Sequence, residues 1–133
     1  MGYLIKFVFM DKIRIESGDI SLVAELNGSD TAISIYNMLP LSGMANIWGD
    51  EVYFTIPVHL NQASDARQEV GIGDLGFWPF GDAFCIFFGP TPVSTSEVPK
   101  AYSPVNVFGH ILGDATELRK VNNGDEIKVT KEI

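Results

Sequence analysis

Gly73-Asp74-Leu75-Gly76-Phe77-Trp78-Pro79-Phe80-Gly81-Asp82-Ala83-Phe84-Cys85-Ile86-Phe87-Phe88-Gly89-Pro90-Thr91-Pro92 decides the fold. The stretch opens as a turn rich in glycine and aromatic residues, becomes an apolar run from Ala83 to Phe88, and stops at Gly89-Pro90. An apolar run of about six residues between turn formers is too short for a buried helix. It fits a strand covered on both faces, and such a strand belongs at the centre of a layered β structure.

Outward from it, most of the chain reads as strands. Leu4 to Met10 is one, and Lys12-Ile13-Arg14-Ile15-Glu16 alternates strictly. Ser17-Gly18-Asp19 turns the chain into a second alternating run, Ile20 to Leu26. Ser29 or Asp30 is placed to cap a helix carrying Ala32, Ile33, Tyr36 and Leu39, which Pro40 stops. So short a helix needs a surface to pack on. Asn46-Ile47-Trp48-Gly49-Asp50 is read as a turn, after which Val52, Phe54 and Ile56 alternate with Glu51, Tyr53 and Thr55. That pattern sends the first three to the core. His59 to Val70 is polar, a loop or short helix. The segment 71–81 holds four glycines and is expected to be irregular, and Pro90 to Pro104, with four prolines, to be a long surface loop. Val105 to Leu112 is a strand. Asp114-Ala115-Thr116-Glu117 has the form of a capping box ahead of a short helix. Ile127 and Val129 mark the last strand. About eight strands and one or two short helices imply a mainly β domain, a closed antiparallel barrel with helical caps.

The 133 residues suit one domain, 1–133, with one core. Seventeen acidic against nine basic residues give a net charge of -8, a field that repels phosphate backbones and anionic lipid. Nucleic acid and membrane are therefore not expected partners. With one cysteine, Cys85, no intrachain disulfide forms. The apolar opening is interrupted by Lys6 and followed by Asp11 and Lys12, so it reads as a strand and not a signal peptide. A reducing cytoplasm is the expected location.

Several motifs carry chemistry on paper. Gly71-Ile72-Gly73-Asp74-Leu75-Gly76 matches GxGxxG, but Trp78-Pro79 and Gly81 follow where a dinucleotide site needs a helix. Cys85, with His59 or His110 as base, has the residue types of a nucleophile pair, yet it sits in the most apolar run of the chain, where a packed core thiol is the simpler reading. Two histidines without paired carboxylate spacing give no metal signature, and no cofactor is expected. Asp50, Glu51 and Asp74 lie in two turns, where carboxylates cap their own backbone more often than they catalyse. Trp48, Tyr53, Phe77, Trp78 and Phe80 are the material either of a packed barrel mouth or of an apolar ligand cleft.

The order of elements resembles the cyclophilin fold. Val107-Phe108-Gly109-His110-Ile111-Leu112-Gly113-Asp114 with Leu118 and Val121 is similar to the cyclophilin strand that leads through a glycine turn to a helix. Gly81-Asp82-Ala83-Phe84-Cys85-Ile86 resembles its Gly-Ser-Gln-Phe-Phe-Ile strand, and Val52-Tyr53-Phe54-Thr55-Ile56-Pro57 its Phe-His-Arg-Val-Ile-Pro strand. The turns Trp48-Gly49-Asp50-Glu51 and Gly73-Asp74-Leu75-Gly76-Phe77-Trp78-Pro79, with Ser103-Pro104-Val105-Asn106, resemble a family of small prokaryotic cyclophilin-like domains of uncharacterised function.

Cyclophilins isomerise X-Pro bonds, whose rotation barrier is near 20 kcal/mol. The resemblance implies that their catalytic arginine, which holds the prolyl carbonyl, falls here on Phe54, or on Tyr53 beside Glu51 if the register shifts by one. Their strand glutamine falls on Ala83 and its phenylalanine on Cys85. The histidine falls near Val105; Gln62 is kept, and His59 replaces a pocket phenylalanine. Losing one preorganised donor commonly slows an enzyme by about two to three orders of magnitude, so no catalytic residue is carried over. The expectation is a binding domain for a small molecule or peptide, its site formed by Glu51, Tyr53, Phe54, Gln62, Trp78, Ala83, Cys85 and Asn106. Tyr53 and Trp78 supply area; Glu51 and Asn106 supply hydrogen bonds. The rivals are a prolyl isomerase with an atypical site, in which another cation such as Arg67 or Lys100 enters the groove; a hydrolase-associated module; and an interaction module that docks a partner protein or a second copy of itself.

Overall fold

Alternation along short runs, the commonest pattern in this sequence, becomes paired strands in the computed structural model, which describes residues 11–133. The strands are β1 (Lys12–Ser17), β2 (Ile20–Leu26), β3 (Leu41–Met44), β4 (Asn46–Ile47), β5 (Glu51–Thr55), β6 (Arg67–Glu69), β7 (Asp74–Trp78), β8 (Ala83–Phe87), β9 (Lys100–Ile111) and β10 (Glu126–Lys131). Helix α1 (Asp30–Met38) follows β2, and a 3-10 helix (Ala115–Lys120) follows β9. The strand expected at Leu4 to Met10 lies outside the described residues.

All pairings are antiparallel, in the order β3-β10-β1-β2-β9-β7-β8-β5-β4, with β6 on a separate stretch of β9. The two ends of this order, β3 and β4, are separated in the chain only by Ala45, so the sheet curls back on itself. Among the described residues no ladder joins those ends. The expected closed barrel of about eight strands is therefore a curled, ten-stranded sheet that its hydrogen bonds leave open. No helix of the described residues is long and apolar enough to cross a membrane.

Strand β8 is buried at every position from Ala83 to Phe87. Neighbouring side chains alternate between faces, so Phe84 and Ile86 enter the main core while Ala83, Cys85 and Phe87 enter a smaller cluster with Val70, Ala101 and Val105. Phe84 stacks on Phe54 (5.1 Å between centroids) and meets Phe108 edge-on (5.0 Å). Helix α1 is capped by Ser29, whose hydroxyl accepts from the Ala32 amide at 3.2 Å. The 3-10 helix is capped by Asp114, which accepts from the amide of Thr116, one residue earlier than a full capping box requires.

Three expectations change. The glycine-rich segment contains a true strand, β7. Gly76 lies within it because a Cβ there would stand 2.7 Å from the Val105 side chain, so this glycine serves close packing and not a turn. The proline-rich segment is also partly strand, since β9 begins at Lys100. Pro104 is accommodated where the β6–β9 register shifts, a position at which its missing N–H is tolerated. The polar stretch before Val70 contains the short strand β6.

Candidate functional site

The chain from Asn46 to Thr55 forms a tight hairpin. The Trp48 amide donates to the Glu51 carbonyl (2.9 Å) and the Glu51 amide donates to the Trp48 carbonyl (3.2 Å), across Gly49 and Asp50. Gly49 has φ +59, and a Cβ on it would meet Pro92 and the backbone of Thr91; glycine is required on both counts. The Asp50 amide donates to the Pro90 carbonyl at 3.0 Å, the Phe88 amide donates to the Asp50 carbonyl at 2.9 Å, and Arg119 pairs with the Asp50 carboxylate at 3.0 Å. The turn is thus fixed from three sides.

From that turn β5 runs antiparallel to β8, with Tyr53 opposite Cys85 and Phe54 opposite Phe84. Strand β7 pairs on the other side of β8, Gly76 opposite Cys85 and Trp78 opposite Ala83. Directly opposed residues share a face. Glu51, Tyr53, Cys85 and Trp78 therefore emerge together on the face away from the main core. There they wall a cavity of about 210 Å³, completed by Trp48 from the hairpin and by Ala101, Tyr102 and Val105 from β9.

The rings form three sides of a box. Tyr102 lies edge-on to Trp48 (6.1 Å, 73°) and to Trp78 (6.1 Å, 84°). The Trp78 indole N–H donates to Ser103 Oγ at 2.6 Å, and the ring lies over Gly81, where a Cβ would be 2.5 Å from it. Tyr102 is 69% exposed and marks the mouth; Glu51, 6% exposed, lies deep. Burial pushes the Glu51 carboxyl up to about 7, and the neighbouring Cys85 thiol restrains the rise. Burial and then the Glu51 charge push the Cys85 thiol well above its ordinary value. Its Sγ also lies 3.8 Å from the Ala83 carbonyl oxygen.

Of the eight expected site residues, the structure brings Glu51, Tyr53, Trp78 and Cys85 to the cavity. The other four stand elsewhere. Phe54 is 0% exposed and stacked in the main core, because the alternating reading of β5 holds and the shifted one places Tyr53 at the site. Ala83, opposite Trp78, shares the cavity face but is 2% exposed and packed in the smaller cluster. Gln62 is exposed on the connection between β5 and β6. Asn106, expected to face ligand, is 2% exposed and fully engaged: its Oδ1 accepts from the Ala63 amide (2.8 Å), and its Nδ2 donates to the Asn61 carbonyl (3.0 Å) and to Thr31 Oγ1 (3.2 Å). It ties a loop to helix α1.

Trp48, weighed as a cleft residue, lines the cavity; Phe77 is core, and Phe80 is 77% exposed. Tyr102 and Ala101 gave no signal because they lie in the proline-rich segment.

Among the described residues no lysine, arginine or histidine lines the cavity. Arg67 pairs with Asp74 at 3.6 Å, and Lys100 is not part of the wall. Asp74 also accepts from the Gly71 amide (2.7 Å) and meets His110 (3.0 Å), while His59 meets Asp82 (2.9 Å). Both histidines are thus held by other carboxylates, and neither reaches the cavity wall beside Cys85. After Gly73 comes strand β7 and not a helix, so the GxGxxG match lacks the helix N-terminus that a pyrophosphate needs. Among the described residues no group of three or more His, Cys, Asp or Glu side chains is arranged to hold a metal ion.

A family model described as Cyclophilin-like matches residues 11–130. Among solved structures, the hypothetical protein AF2241 from Archaeoglobus fulgidus, determined in solution, is similar at 31% sequence identity with a TM-score of 0.78, the match covering 92% of this chain and 95% of that one. A comparison with curated proteins finds no match.

Proposed function

The chain belongs to the cyclophilin-like family, and from its cavity we propose that it is a single ligand-binding domain that takes a small molecule or a peptide side chain and does not isomerise proline efficiently. The observation that carries this reading is the aromatic-walled cavity of about 210 Å³ with one acid at its base. Apolar walls with a few placed polar groups are the usual make-up of a small-ligand site. A space of that size suits a compact ligand or the tip of a larger one. The barrel-like curl of the sheet supports the rigid wall on which such a site depends.

Isomerisation needs a donor that grips the carbonyl of the rotating imide and stabilises its charge. Of the two residues that the cyclophilin resemblance offers for the arginine position, Phe54 is buried in the core and Tyr53, in the shifted register, lines the cavity with the carboxylic acid Glu51. A phenol is a weaker donor than a guanidinium, and a carboxylate beside it would repel a developing oxyanion. A protease-coupled assay on a proline peptide tests this half of the proposal. The expected rate is at least about two orders of magnitude below that of an authentic cyclophilin; a rate within about tenfold would overturn it. The cytoplasm, where a lone thiol stays reduced, is the proposed compartment.

A further inference from the structure

The charge and shape of the cavity restrict what it can hold. Two indoles stand at 73° and 84° to Tyr102, and all three rings line the space. The Trp78 N–H is consumed by Ser103. The acid at the base, Glu51, comes from β5. The titratable groups that share the wall with it are the Tyr53 hydroxyl from β5, the Cys85 thiol from β8 and the Tyr102 hydroxyl from β9. Its neighbour Asp50 is turned toward Gly89 and bound by Arg119. Among the described residues no cationic side chain reaches the site.

An anionic ligand would meet this acid with nothing to neutralise it. A neutral apolar ligand would bury the acid without a partner, which forces it to stay protonated. A cation satisfies both elements at once: aromatic faces attract positive charge through their quadrupoles, and the carboxylate supplies the counter-charge. The net charge of -8 draws cations toward the molecule.

We propose that the cavity binds a small organic cation, an alkylated ammonium whose charge is met by Glu51 and whose methyl groups lie against Trp48, Trp78 and Tyr102. The proposal rests on the ligand-binding reading above and names the ligand class for that same site.

Binding is coupled to a proton. Below about pH 7 the free site is protonated, so the cation must displace a proton and apparent affinity falls; above it the carboxylate is ready and affinity levels off.

The test is titration of the whole protein with tetramethylammonium chloride and, separately, with the neutral tert-butanol, at constant ionic strength. The readout is the pair of indole N–H signals in a nitrogen-15 NMR spectrum. Tetramethylammonium is expected to shift both indole signals, with affinity about tenfold weaker near pH 6 than near pH 8, while tert-butanol shows no such dependence. Glu51→Gln is expected to weaken tetramethylammonium by about tenfold or more near pH 8 and to abolish the pH dependence, its fold being checked in the same spectrum. If that variant does not fold, the pH profile of the native protein decides alone. Equal binding of both probes, a flat pH profile, or unchanged affinity in folded Glu51→Gln overturns the cation. Each of these leaves the ligand-binding reading standing, because a probe still binds there. Silence from both probes also overturns it, and whether the cavity takes any ligand is then answered by the fragment mapping that closes the Discussion.

Discussion

Trp48 and Glu51 exchange both of their backbone hydrogen bonds across a two-residue turn, at 2.9 and 3.2 Å. Directly opposed residues project to the same side of a hairpin, so one turn delivers an aromatic wall and a buried acid to one cavity. The rest of the site is set by register. Strand β8 aligns Tyr53 from one neighbour and Gly76 from the other with Cys85, and every second residue of these strands belongs to the main core instead.

That division separates stability from binding at adjacent positions. Phe54→Ala removes a fully buried ring stacked on Phe84 and is expected to lower unfolding free energy by about 3–5 kcal/mol. Tyr53→Ala removes a half-buried cavity residue and is expected to lower it by about 1 kcal/mol while abolishing ligand-induced stabilisation. Chemical denaturation of both variants, with and without ligand, checks the pair; the reverse pattern would mean that β5 is read in the wrong register.

Gly81 is expected to control the cavity without lining it. A methyl group there would overlap the Trp78 ring at 2.5 Å, so Gly81→Ala must displace the indole and break its bond to Ser103. Overpacking of this kind costs about 1–3 kcal/mol. The tryptophan emission spectrum should shift and ligand affinity should fall; unchanged emission would show that the ring adapts in place.

Glu51 links folding to pH. Its folded value of about 7 is raised above the ordinary 4.5 by burial, so the native state holds this proton more tightly than the unfolded chain. The stabilisation is full below pH 4.5 and is lost as pH rises through about 7, a change of about 3 kcal/mol. Glu51→Gln keeps a neutral side chain at every pH. Its stability relative to the native protein should therefore rise by about that amount between pH 4.5 and pH 8, measured by urea unfolding at each pH. A constant difference would place Glu51 in contact with bulk water.

Asn106 is expected to behave as a structural clamp. Asn106→Ala leaves the Ala63 amide and the Asn61 carbonyl without their partner, at about 2 kcal/mol or more, and should free the connection before β6 to faster amide exchange. Ligand affinity should be little changed; its loss with stability intact would return Asn106 to the binding site.

Much of the fold was legible in the sequence because burial on one face writes a period of two. Ile13 and Ile15 in β1, Val52 and Phe54 in β5, and Ile127 and Val129 in β10 are all core residues. The unbroken apolar run of β8 signalled cover on both faces. Strand β7 was hidden because glycine ordinarily punctuates turns, and only the proximity of Val105 explains Gly76. The start of β9 was hidden by prolines, and Tyr102 with it. The site was half legible: Glu51, Tyr53, Trp78 and Cys85 follow from one face of the sheet. Asn106 misled because its three hydrogen-bond partners are about 45 and 75 residues away in sequence, a relation that no local pattern records.

The most direct test of the binding cavity is nitrogen-15 NMR mapping of a library of small polar, apolar and cationic fragments on the native protein. The expected result is that binders shift the Trp48 and Trp78 indole signals together with the amides of Glu51, Tyr53, Cys85 and Tyr102, and that Trp78→Ala removes these shifts. Binders that leave both indoles unmoved while shifting signals on another face, or a library with no binder at all, would contradict the site.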